Sequence, residues 1–81
     1  MKMFALHTMS IDLCNDNFEL GGVKIFKNFQ DATVERDQII MELRDDWDLE
    51  EDAVEVMDNG NANIALGSDA FYEIQIQEVE I

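Results

Sequence analysis

The chain has no proline, one cysteine, one histidine, one tryptophan and only five basic residues among 81. Each shortage excludes something. A single Cys14 cannot form an internal disulfide, so the staple of small secreted domains is missing and a reducing compartment is favoured. Asp12 and Asp16 flank that thiol with negative charge, which opposes thiolate formation and argues against a reactive cysteine. Five basic residues against nineteen acidic ones leave a formal net charge of -14. Phosphate contacts need Lys and Arg, so direct binding of DNA, RNA or an anionic membrane is not expected, whereas a basic partner is allowed. The opening stretch MKMFALHTMSIDL holds one Lys and no long apolar run, which predicts neither a signal peptide nor a membrane span. A cytoplasmic protein is expected.

What is present points to one folded domain over residues 1–81. Apolar residues make up 47% of the chain, too many for wholesale disorder despite the charge. Residues 2 to 13 alternate with period two: Met3, Ala5, His7, Met9, Ile11 and Leu13 on one side, Thr8, Ser10 and Asp12 on the other, with Phe4 and Leu6 breaking the polar side. This predicts a strand covered on both sides near its start. Residues 14–17, Cys-Asn-Asp-Asn, predict a turn. A second strand over 18–26 should form a hairpin with the first, with Gly21 and Gly22 marking a bulge or a break.

Asn28 reads as a helix N-cap accepting from the Asp31 amide. Phe29, Ala32, Arg36, Ile39, Ile40 and Leu43 then recur at three and four residue steps, the inner stripe of a helix over 29–46. Further strands are predicted at 52–57, 61–66 and 70–81. Asp58-Asn59-Gly60 marks the first of the turns between them. A three-residue loop with Gly60 in the left-handed position pairs Val54 with Ile64 and Val56 with Ala62, keeping like residues on one face. Residues 67–69 turn the chain again. In the last strand the apolar positions switch from Tyr72, Ile74 and Ile76 to Val79 and Ile81, which predicts a bulge near Gln77 or departure from the sheet. The expected fold is α+β, two-layer, an antiparallel sheet with one helix packed across it, in the order β-β-α-β-β-β.

Few constellations carry chemistry. His7 has no nucleophile or orienting group assignable beside it. The Asn59–Asn63 alternation fails as a calcium loop because Ile64 and Ala70 stand at its glycine and glutamate positions. No phosphate-binding glycine loop exists, and so small a domain has little room for a glycosidase cleft. Neither an enzyme nor a cofactor or metal is expected.

The densest feature is DDWDLEEDAVEVMD, residues 45–58, with eight carboxylates and no Lys or Arg. Asp45 and Asp46 fall at a helix C-terminus, where the helix dipole disfavours negative charge. Such broken local rules mark functional or strained sites. Trp47 reads either as a cap over the core or as an aromatic anchor of an interface. Alternate residues along a strand are about 6.7 Å apart, near the roughly 6–7 Å between phosphates along one nucleic-acid strand. Asp46 with Asp48, Glu50 with Asp52, and Glu78 with Glu80 would have that spacing if extended.

In size, charge, lack of a proline or cysteine framework and the run DDWDLEED, the chain resembles the small acidic proteins that phages and mobile elements encode to inhibit host nucleases. These include DNA-mimicking anti-restriction and anti-CRISPR proteins. VKIFKNFQDA, a strand entering a capped helix, likewise resembles short phage and bacterial α+β proteins. The resemblance implies a non-enzymatic inhibitor acting in the host cytoplasm on a basic nucleic-acid-binding protein, such as a nuclease or CRISPR effector. The expected binding residues, taken from the acidic run itself, are Asp45, Asp46, Trp47, Asp48, Glu50, Glu51 and Asp52. The alternative is a structural or regulatory interaction module, monomeric or homodimeric, whose acids only solvate it. In that alternative an exposed edge of the last or first strand, with Ile74, Ile76, Val79 and Ile81, would pair with a second copy.

Overall fold

A computed structural model describes residues 1–13, 16–67 and 69–81, with the backbone alone of Asn17. The chain forms β1 (Lys2–Asp12), β2 (Asn17–Phe26), α1 (Phe29–Trp47), a single 3-10 turn (Glu51–Ala53), β3 (Val54–Val56), β4 (Ala62–Ala65) and β5 (Ala70–Glu80). The strands build one antiparallel sheet in the order β2-β1-β5-β4-β3, and α1 packs across one face. The expected α+β architecture is present, with the 3-10 turn inserted before β3. Expectations that fall on Cys14, Asn15 and Ser68 lie outside the described residues.

Local chemistry sets the element boundaries. The Asn28 side chain accepts from the Asp31 amide at 2.9 Å and starts α1. The β1–β2 ladder slips where Thr8 faces Gly21 and Gly22, between the pairs His7–Val23 and Met9–Leu20. A β-carbon on Gly21 would collide with Thr8 Oγ1, whereas one on Gly22 meets nothing. The β3–β4 hairpin has the predicted register, Val54 with Ile64 and Val56 with Ala62, and Gly60 takes a φ of 98°. The Met57 amide donates to the Asn61 carbonyl, and the Gly60 amide to the Met57 carbonyl, closing the three-residue loop.

The core lies between α1 and the even-numbered side of β1 and β5. Leu6, Ile74, Ile76, Ala62 and Ile64 from the sheet are buried with Ala32 and Ile40 of the helix. Phe4 meets Phe29 edge to face, their ring centroids 5.7 Å apart. Arg36, the charged member of the helix stripe, lays its stem over this core and donates from Nη1 to the Gly60 carbonyl at 3.1 Å. A guanidinium suits the place because its apolar stem packs while its fork ties the helix to the hairpin turn.

Three expectations are corrected. The β1–β5 register runs unbroken from Lys2–Glu80 to Asp12–Ala70, so there is no bulge at Gln77. Val79 instead stands on the face opposite Ile76, beside Met3. Second, β1 is an interior strand without a free edge, whereas β5 is flanked by β4 only over Phe71–Ile74, with Ile74 and Ile76 in the core and no described strand beside its outer side past Ile74; the outermost strands are β2 and the three-residue β3. Third, residues 52 and 53 belong to the 3-10 turn rather than to the strand.

The odd-numbered side of β1, the most regular apolar alternation in the chain, points away from the helix. Met3, Ala5, His7, Met9 and Ile11 share that open face with Phe18, Leu20, Val23 and Ile25 of β2 and with Phe71 and Val79 of β5. No described element covers it: Leu20 is 70% exposed and Val23 62%.

Candidate functional site

The acidic run wraps one end of the two layers. Asp45 and Asp46 occupy the last turn of α1, where Arg44 is the one basic residue, and Trp47 ends the helix. Asp48 takes the left-handed conformation, φ 51° and ψ 52°, and reverses the chain. Asp tolerates this geometry better than most non-glycine residues because its short polar side chain bonds locally. Leu49 then turns inward and packs against the core, Glu50 is extended, and Glu51 and Asp52 enter the 3-10 turn. The segment is thus stitched down at Leu49 and again at Val54, with its carboxylates left outside.

Asp45, Asp46, Asp48, Glu50, Glu51 and Asp52 are all exposed. None forms an ion pair among the described residues. The pairs that do form there are Lys2–Glu78, Lys24–Glu35, Arg36–Asp37 and the N-terminus with Glu80. Lys2, Lys24 and Arg36 are thus engaged elsewhere, and Arg44, although in the same helix turn, forms no ion pair with the run. Like charges this close repel, and attachment to a rigid scaffold prevents them from spreading apart as they would in a tail.

Trp47 is 53% exposed and stands outside the core cluster, so its role as a core cap is overturned; Leu49 does that work. Trp47 lines a shallow groove with Leu49, Ala53 and Leu66, beside Asp48 and Glu50. An amphipathic ring beside carboxylates suits stacking on an arginine or lysine side chain.

The strand-like spacing of the acids is corrected. Asp46 is helical and Asp48 left-handed; Glu50 is extended but Asp52 lies in the 3-10 turn, so neither pair has strand spacing. Glu78 and Glu80 are extended on β5, but each is neutralised, by Lys2 and by the N-terminus. Val56 is 49% exposed although it shares the helix-side face with Val54.

His7 lies half-buried on the open face, directly opposite Val23 and Gln75. Among the described residues no group of three or more His, Cys, Asp or Glu side chains could hold a metal ion. No described helix is long and apolar enough to cross a membrane. The feature that sequence reasoning missed is the uncovered apolar face. Its signal was there, in the odd-position alternation of β1 and the parity switch at Val79. No protein-family model, curated protein or solved structure matches this chain.

Proposed function

We propose that the protein is a non-enzymatic binding module that acts in the cytoplasm and seats its acidic end on the basic surface of a nucleic-acid-binding protein, inhibiting or masking it. One observation carries this reading: six carboxylates between Asp45 and Asp52 are exposed, unpaired and held on a folded edge beside a half-exposed tryptophan. Such a surface attracts a basic groove at long range and displaces the counterions of both partners on contact. Inhibitors of nucleases and CRISPR effectors, which the chain resembles in general character, work on partners of this kind. Charge and exposure support the reading; a copied phosphate repeat does not, because the acids follow a helix end and a turn.

The test is binding to a panel of purified nucleases, including a guide-loaded CRISPR effector, over a salt series and with competing DNA. A complex that weakens steeply with salt, competes with DNA and is lost on reversal of Asp46, Asp48 and Glu50 to Lys is the expected result. Binding that survives the reversal removes the site assignment. The alternative, an interaction module working through apolar contact, is favoured by a separate observation, the open face of the sheet.

A further inference from the structure

The helix covers only half of what the sheet has to bury. Eight apolar residues are buried, whereas thirteen large ones are exposed, among them Phe18, Leu20, Val23, Ile25 and Phe71 on the open face. Isolated exposed apolar residues are ordinary, but a contiguous patch on a sheet is not.

The charge distribution sharpens the point. In a chain of net charge -14, the open faces of β1 and β2 carry no charged residue at all. Glu19 and Asp12 sit in register with helix-side positions; of the open-face carboxylates, Glu55 lies on the β3 edge and Glu73 on the central strand β5, between Met9 and Asn63. The polar groups in the middle of the face are His7, Gln75 and Gln77, with Glu73 the one charge among them. A glutamine amide both donates and accepts, so it can satisfy a copy of itself, and its donors can also meet the Glu73 carboxylate of a stacked copy.

We infer that the open sheet face is a homodimer interface, on which a second copy of this chain stacks face to face about a twofold axis. The arrangement is a four-layer helix–sheet–sheet–helix sandwich, the two sheets about 10 Å apart. Size agrees with this. Three strands of ten residues span roughly 33 Å by 14 Å, and β4 widens the sheet at one end, giving on the order of 500 Å² of flat footprint per chain. Protruding side chains raise the accessible area toward the ~800 Å² per partner of a standard interface. Stacking also lowers the electrostatic cost of self-association, because the acids of the helix side end up on opposite outer surfaces and only Glu73 and Glu55 of each chain face the other. A small domain with a thin core gains from such a partner.

The inference does not depend on the acidic end, and the Asp46, Asp48 and Glu50 reversal variant is expected to stay dimeric. The test is sedimentation and light scattering from about 5 μM to about 500 μM protein, in low salt and in about 1 M NaCl. The expected result is twice the 9.3 kDa chain mass, with association strengthened by salt as like-charge repulsion is screened. Val23→Lys and Ile25→Lys, each placing a charge on an exposed position of β2, should raise the dissociation constant about 100-fold or more, since an ammonium would be buried unpaired. The milder pair Val23→Thr with Ile25→Thr preserves strand propensity and should weaken the dimer while leaving the circular dichroism spectrum unchanged. Met41→Lys, on the exposed outer side of α1, should have no effect. A wild-type chain that stays monomeric throughout, or a dimer unmoved by Val23→Lys, overturns the inference; the second outcome would point to pairing through a strand edge, that of β2 or of the end of β5.

Discussion

Asn61 Oδ1 accepts the Ile76 amide at 2.9 Å. β4 begins only at Ala62, so β5 runs past the end of its neighbour and this amide would otherwise lack a strand partner. A side chain in the hairpin loop therefore extends the ladder by one bond, at the point where Ile76 enters the core. Removing the acceptor leaves a part-buried donor unpaired, so Asn61→Ala is expected to cost about 1–3 kcal/mol in urea unfolding. Asn61→Asp, which keeps an acceptor oxygen, should cost less.

The two adjacent glycines of β2 should behave oppositely. Gly21→Ala drives a methyl into Thr8 Oγ1 and against the Thr8 carbonyl, and is expected to destabilise by about 1–3 kcal/mol. Gly22→Ala meets no atom and restricts the unfolded chain, so it should be neutral or stabilising by up to about 1 kcal/mol. Thermal melts of the two variants at matched concentration decide this, and equal losses would place the bulge wrongly.

Trp47 and Leu49 separate binding from folding. Leu49 packs on the core and Trp47 does not. Leu49→Ala should lower stability by about 2 kcal/mol, and Trp47→Ala by no more than about 0.5 kcal/mol. If Trp47 anchors a partner, its removal weakens that complex with the melt unchanged.

Asp45 and Asp46 oppose the α1 dipole from its last turn. Asp45→Asn with Asp46→Asn is expected to raise stability by about 1 kcal/mol, or roughly 4–8 °C in Tm for a domain this size. The gain should shrink in high salt. The same double variant should bind a basic partner more weakly, the usual exchange of stability for function. A variant that is more stable and binds no less tightly would make these acids solvating only.

Much of the fold is legible because its rules are local. Asn28 announces the helix start, the Phe29-to-Leu43 stripe its inner side, Gly21 and Gly22 the bulge, and Gly60 the hairpin register. Each depends on residues within a few positions of one another and on one backbone requirement. The acidic run is likewise plain as composition, and the structure leaves it exposed and unpaired at the place where the helix ends.

Three features depend on distant parts of the chain. The left-handed turn at Asp48 breaks the acids out of strand geometry, and no glycine marks it, because the inward pull on Leu49 supplies the reason. Insertion of β5 between β1 and β4 decides which strands are edges, a matter of pairing between residues up to 78 positions apart, such as Lys2 and Glu80. Above all, β1 and β5 carry apolar residues on both faces, and a single helix can cover only one. The sequence by itself determined that the sheet has two faces worth burying; only the tertiary structure decided that Leu6, Ile74 and Ile76 take the helix, leaving Met9, Leu20 and Val23 in the open.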